Sequence, residues 1–256
     1  MRTSIQNGSL YISIQNKIAT IEFGHPASNS FPSELLERLT KELNLISKND
    51  SISVIILKSE GEKAFCAGAS FDELIAVSTL QEGKQFFTGF ANVINAMRTC
   101  GKIIIGRVQG KAVGGGVGLA AACDYVLATE NASIRLSEFT IGIGPFVIEP
   151  VVKRKIGLAA LSELTLDATN WKNGYWAREK GLYSKVFENI KELDDEIAIL
   201  ASKLASYNPS ALAKMKKVFW ENTNHWNELL AERAAISGEL VLSDFTKKAL
   251  AKFSKK

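Results

Sequence analysis

The sequence predicts an α/β protein: a parallel sheet with helical crossovers, followed by a mainly helical C-terminal part. Three observations carry this. Strand-like and helix-like stretches alternate in units of about fifty residues: Val54 to Leu57, then a helical stripe of Phe86, Phe90, Ile94 and Met97, then a strand from Ile103. That strand, Ile103-Ile104-Ile105 with Val108, is apolar at successive positions, the pattern of a strand buried on both faces in a parallel sheet. From Val147 onward the periodicity is helical, with Tyr183 to Phe187 as the one strand-like run. The reading divides the chain into a core over residues 1–182 and a helical subdomain over 183–256.

Composition bounds the function. With 256 residues, 46% hydrophobic and 23% charged, the chain buries a full core. The net charge of +4 is dispersed, apart from Lys153-Arg154-Lys155 and a C-terminal group, Lys247, Lys248, Lys252, Lys255 and Lys256. Basic residues are not interleaved with stacking aromatics, so a nucleic-acid groove is not expected. Cys66, Cys100 and Cys123 are an odd, widely spaced set, which predicts a reducing compartment, no disulfide framework and no metal site. The N-terminus lacks an apolar leader and no run is long enough to span a bilayer, so a cytoplasmic protein is expected.

In chain order, Leu10 to Gln15 and Ile18 to Phe23 alternate around Asn16-Lys17, a hairpin pattern. Pro32 is expected in the first turn of a helix whose stripe is Leu35, Leu36, Leu39, Leu43 and Ile46, ending near Lys48. After Val54 to Leu57 comes Ala64-Phe65-Cys66-Ala67-Gly68-Ala69-Ser70, read as a small-residue loop with an exposed backbone, and then a short helix near Phe71 to Ala76. Gly110 ends the central strand, and Gly114-Gly115-Gly116 opens a helix of small residues, Leu119 to Cys123. Asp124 to Ala128 and Ala132 to Leu136 continue the strands, and Glu138 follows. In the helical part, Asn208-Pro209-Ser210 marks a break, because proline starts helices and asparagine or serine caps them.

A helix N-terminus presents N–H groups without partners and a partial positive charge. Three glycines at such a point either let strand and helix pack closely or expose donors to a developing oxyanion. Glu138 on spacing alone is a turn carboxylate or a proton-transfer group.

The segments AFCAGAS, KIIIGRVQGKAVGGGVGLAAACDYVLA and ASIRLSEFTIGIGP resemble the enoyl-CoA hydratase/isomerase (crotonase) family, and HPASNSFP and GLYSKVF extend the likeness over most of the chain. The resemblance implies a spiral of ββα turns, an acyl-CoA thioester substrate with coenzyme A as part of it and no separate cofactor, and a homotrimer or dimer of trimers. It places the two oxyanion N–H donors at Ala69 and Gly115 and the acid/base glutamate at Glu138. It assigns substrate contacts to Ala27, Asn29, Ala67, Gly68, Gly114 and Pro145. On this reading a valine at Gly115 enters the space of the thioester.

The departures matter as much. Typical hydratases carry a second glutamate two residues after the glycine triplet, where this chain has Gly118. The usually glycine-rich loop that follows reads Gly144-Pro145-Phe146-Val147-Ile148-Glu149, so Glu149 either replaces the lost acid or is a favourable charge at a helix start. Enoyl-CoA hydratase/isomerase chemistry is therefore expected with its two halves unresolved. Thioester hydrolysis, decarboxylation, and a non-catalytic acyl-CoA- or RNA-binding member stand as alternatives. Cys66 is either a nucleophile or a small buried hydrophobe, the second being favoured; His25 and His225 are expected to be structural.

Overall fold

The computed structural model of the chain describes residues 7–252. β1 (Ser9–Gln15) and β2 (Ile18–Gly24) pair antiparallel, with Gln15 opposite Ile18. Asn16 and Lys17 both take positive φ, 52° and 66°, the turn geometry whose twist matches that of the strands. α1 (Ser33–Ser47) buries Leu35, Leu36, Leu39, Leu43 and Ile46 as predicted. Pro32, expected inside the first turn, instead precedes the helix in extended backbone (φ −62°, ψ 155°), a conformation open to a residue at the cap.

From there each turn of the chain supplies two strands and helix. The second turn is β3 (Val54–Ser59), β4 (Ala64–Cys66), α2 (Phe71–Ala76) and α3 (Leu80–Thr99). The third is β5 (Ile103–Val108), β6 (Lys111–Val113) and α4 (Gly115–Ala122), and the fourth β7 (Tyr125–Thr129), β8 (Ile134–Arg135) and α5 (Glu149–Leu166). The first strands of the turns line up in a six-stranded sheet, β1-β2-β3-β5-β7 with β9 (Lys185–Phe187) at its far edge, parallel from β2 onward. The second strands form a small separate sheet, β4-β6-β8. This is the expected ββα spiral. β4 and β6 fall in stretches read as loop, and the run Ala132 to Leu136 shrinks to two strand residues in the small sheet. Strands this short carry too few positions for alternation to show; pairing with one another defines them.

The large sheet is covered on both faces. One face carries the main core with α1, α3 and α4. On the other, Leu193, Ile197, Ala201 and Ala205 of α7 (Ile190–Ser206) pack on Val54, Ile105 and Leu127. Residues beyond 182 thus contribute an edge strand and a covering helix to the same sheet. The remaining elements among the described residues are helices: α6 (Gly174–Glu179), α8 (Pro209–Phe219), α9 (Trp226–Leu240) and α10 (Asp244–Ala251). Asn208 caps α8 as predicted, its Oδ1 accepting the N–H groups of Ser210 and Ala211. α9 crosses α3 at Gly83 and Gly238 so closely that a Cβ on either would lie 2.6 Å from backbone of the other helix. Among the described residues no helix is long and apolar enough to cross a membrane.

A buried ion pair ties α8 to the core. The Asp124 carboxylate accepts from Lys216 Nζ (2.6 Å), Trp220 Nε1 (3.0 Å) and the Ile104 N–H (2.8 Å), and both charged side chains are only 2% exposed. Removing one partner leaves the other buried and uncompensated. Lys216→Met is expected to lower stability by about 2 kcal/mol in denaturant unfolding, since two donors still hold the carboxylate. The same anchor breaks up the basic run before it. Arg154 lies over the Trp220 ring at 3.9 Å and donates to the Phe219 carbonyl, and Lys155 donates to the Asp124 carbonyl, which leaves Lys153 as the exposed member. Lys247 and Lys248 lie on α10; Lys255 and Lys256 fall outside the described residues.

Candidate active site

The site is built from two loops that follow the short strands. After β4, Gly68 takes φ 91°. The Phe31 N–H donates to the Gly68 carbonyl (2.8 Å) and the Ser70 N–H to the Phe31 carbonyl (2.9 Å), so Ala69 sits in a one-residue parallel bridge with Phe31. Successive groups of an extended chain point to opposite sides, which turns the Ala69 N–H away from Phe31. Among the described residues it has no acceptor. After β6, Gly114 adopts φ 52° and ψ −118°, a conformation suited to glycine, and donates its N–H to the Arg135 carbonyl (3.0 Å). α4 then starts at Gly115, whose N–H is one of the helix's orphan donors and likewise has no acceptor among the described residues. The loops touch: a Cβ on Gly68 would lie 3.4 Å from the Gly115 nitrogen.

Each glycine of the triplet admits a different neighbour. A Cβ on Gly114 would lie 2.7 Å from Glu138 Oε1, one on Gly115 2.4 Å from the Phe90 ring, and one on Gly116 2.4 Å from the Cys66 carbonyl oxygen. Close packing and exposed donors, the two readings of these glycines, coexist here.

Glu138 begins a 3₁₀ turn (Glu138–Ile141) that follows β8 after Leu136 and Ser137. Its Oε2 is shut off from solvent and has no hydrogen-bond partner. Burial pushes the carboxyl pKa up to about 7, against smaller opposing effects from a backbone hydrogen bond and the Arg135 cation. A carboxyl group poised there exchanges protons near neutrality.

Both loops and Glu138 face one cavity of about 250 Å³. Ala67, Gly68, Ala69, Gly114, Gly115, Glu138 and Pro145 line it, and its walls are otherwise mostly apolar, from Phe71, Leu74, Phe86, Phe87, Phe90 and Ile148. Three residues named from the sequence are not brought there. The Asn29 amide is fully engaged: its Nδ2 donates to the carbonyls of Glu60 (2.8 Å) and Ala64 (2.9 Å), and its Oδ1 accepts the His25 N–H. It staples the loop to the core and has no donor left for a substrate. Ala27 is exposed on that loop, which meets the cavity rim where the Ala67 N–H donates to the Ser28 carbonyl (3.1 Å). Glu149 lies in the first turn of α5 at 3.8 Å from Lys153, outside the cavity lining, where it favours the helix start.

The missing second carboxylate has a structural counterpart. A Cβ on Gly118 would lie 2.4 Å from Ile148 Cγ2, so an isoleucine from the following turn occupies the space of a side chain at that position. Cys66 is buried, its thiol pushed up to about 12 and its sulfur accepting the Gly68 N–H (3.3 Å), which makes it a packing group. His25 Nδ1 accepts from the Ala27 N–H (3.1 Å) and lies 3.1 Å from Ser30 Oγ, a loop staple as expected. His225 precedes α9. Of the tryptophans, Trp220 and Trp226 pack edge-to-face in the interior, while Trp171 carries Arg135 (4.5 Å) and Lys111 (5.0 Å) over its ring.

Arg135 and Ser237 also line the cavity. Arg135 sits three residues before Glu138 and was legible as a neighbour; Ser237 comes from α9, and nothing in its local sequence connects it to the loops.

A family model described as enoyl-CoA hydratase/isomerase matches residues 13–256. The short-chain-enoyl-CoA hydratase of Clostridium acetobutylicum is 30% identical over 205 residues, 79% of this chain and 77% of that one. The Delta(3,5)-Delta(2,4)-dienoyl-CoA isomerase of Arabidopsis thaliana is 29% identical over 205 residues, covering 74% and 72%. Among solved structures, an enoyl-CoA hydratase from Bacillus halodurans superposes with a TM-score of 0.89 at 21% identity, over 95% of this chain and 99% of that one, which shows the crotonase fold. The chain belongs to the enoyl-CoA hydratase/isomerase family of acyl-CoA-processing enzymes.

Proposed function

We propose that the protein shifts the double bond of an enoyl-CoA thioester, with Glu138 as its only carboxylate base and the N–H groups of Ala69 and Gly115 holding the thioester oxygen. Removing a proton from the α-carbon moves negative charge onto the carbonyl oxygen, and fixed donors stabilise it where it develops. For a β,γ-enoyl thioester, Glu138 takes the proton from C2, the double bond moves from C3–C4 to C2–C3, and the same carboxyl returns the proton at C4. No atom is gained or lost and no second acid is required. Hydration in addition needs a group to hold and activate water.

The observation that carries the isomerase reading is the contact of Ile148 with Gly118, which leaves no room for a second carboxylate at that point. A panel of 3-hexenoyl-CoA, crotonyl-CoA and 3-methylglutaconyl-CoA, with release of free coenzyme A as a control, tests it. Isomerisation of the first is expected to exceed hydration of the other two; faster hydration, or hydrolysis alone, refutes the reading. A carboxylate can be reintroduced only together with space. Gly118→Glu alone is expected to overpack the site at about 1–3 kcal/mol and add no hydratase activity. Gly118→Glu with Ile148→Gly is expected to raise hydration of crotonyl-CoA above that of the parent.

A further inference from the structure

The cavity that holds Glu138 is lined mainly by aromatic and aliphatic side chains, so its few polar groups identify what else the occupant carries. Thr140 is satisfied internally, its Oγ1 donating to the Ser137 carbonyl (2.6 Å). The Arg135 guanidinium lies on the Trp171 ring at 4.5 Å, its Nε buried and without a hydrogen-bond partner, and its charge opposes the burial shift of Glu138. Ser237 is the uncharged group in the same condition. It is 1% exposed, its Oγ has no hydrogen-bond partner, and it lines the cavity.

A serine within a helix ordinarily satisfies its hydroxyl on the carbonyl four residues earlier, here that of Arg233, and this one does not. Nor can α9 readily turn to bring it elsewhere, because the backbone crossing of Gly83 and Gly238 holds the helix against α3 at the very next residue. Its surroundings offer no substitute: Val241, one turn further along, joins Leu74, Phe86 and Ile143 in an apolar cluster. An alanine at this position would leave no polar group unpaired.

We propose that Ser237 is a specificity determinant of this cavity, its hydroxyl pairing with a neutral oxygen function, a hydroxyl or a ketone, on the acyl chain beyond the reacting carbons. The preferred substrates are then oxygen-bearing acyl thioesters of coenzyme A. The inference rests on the reading of this cavity as an acyl-CoA site and is independent of which proton transfer occurs there. A neutral group matches the uncharged hydroxyl of Ser237; an anionic chain end would instead favour Arg135, the one cationic residue among the described cavity lining, whose Nε is also buried without a partner.

Calorimetric binding of saturated thioesters tests this without any turnover. The probes are hexanoyl-CoA, the same thioester with a hydroxyl on its penultimate carbon, and adipoyl-CoA. The wild-type protein is expected to bind the hydroxylated chain more tightly than the plain one, and Ser237→Ala to shrink that preference about five- to ten-fold. Ser237→Ala loses only an unpaired hydroxyl and is expected to melt at the wild-type temperature or above. Equal affinities for the two chains, or a preference that survives Ser237→Ala, overturn the proposal and leave the acyl-CoA reading intact. Tightest binding of adipoyl-CoA overturns it in favour of Arg135 as the determinant. Failure of every thioester to bind overturns both. Preferential binding of the hydroxylated chain without turnover of any enoyl-CoA upholds this proposal and refutes the proposed reaction.

Discussion

Glu138→Gln is expected to lower turnover by about 10²-fold or more while leaving acyl-CoA binding nearly unchanged. Glutamine keeps the shape of the side chain and its place against Gly114 but cannot take a proton. The pH profile separates this role from a structural one. The base must be ionised in the free enzyme, and burial holds its pKa at about 7, so kcat/KM is expected to rise with pH through that value and level off above it. The residual activity of Glu138→Gln should lack this limb. Near-normal turnover, or an unchanged limb in the variant, rejects Glu138 as the base.

The same shift has a consequence for stability. The folded state raises the Glu138 pKa from the ordinary 4.5 to about 7 and so holds its proton more tightly than the unfolded chain does. This group's contribution is fully present below 4.5 and is lost as pH rises through about 7. Glu138→Gln is never ionised and escapes that loss. The variant is therefore expected to melt above the wild type in alkaline buffer, with the difference fading toward acid pH.

Ala69→Pro is expected to cost about 10²- to 10³-fold in turnover with a smaller change in KM. Proline deletes an N–H that has no acceptor among the described residues, so no hydrogen bond within them is lost with it. The bridge on either side stays intact, because Phe31 pairs with the Gly68 carbonyl and the Ser70 N–H. Melting temperature measured alongside turnover verifies that the loop still folds. A complex with an acyl-CoA analogue gives the direct check: a thioester oxygen lying away from both the Ala69 and Gly115 N–H groups refutes the enolate mechanism. Gly115→Val is no longer the matching probe that the sequence suggests. Its Cβ would meet the Phe90 ring at 2.4 Å, so the substitution disturbs α3 before it reaches a substrate.

What the sequence by itself determined was whatever a few neighbouring residues decide. The hairpin at Asn16-Lys17, the stripes of α1 and α3, the doubly buried β5 and the helix start at Gly115 are local in origin, because backbone preference and side-chain period act over one or two turns. The resemblance singled out Ala69, Gly115 and Glu138 for a related reason, since each lies at a fixed offset from a short motif near the end of a strand, and the structure brings all three to one cavity.

Contacts between distant segments were settled only by the tertiary structure. β4 and β6 exist because they pair with each other, and no three-residue stretch announces a partner. Asn29, which the resemblance assigns to the substrate, has its amide spent on the carbonyls of Glu60 and Ala64. Glu149 looked able to replace the absent acid, yet Ile148 beside it fills the space over Gly118 while Glu149 turns to Lys153. Ser237 reaches the cavity because Gly83 and Gly238, far apart in the chain, let two helices meet backbone to backbone. Chain order sets which groups are available, but close packing sets which of them meet, since interdigitated side chains leave room for only one arrangement.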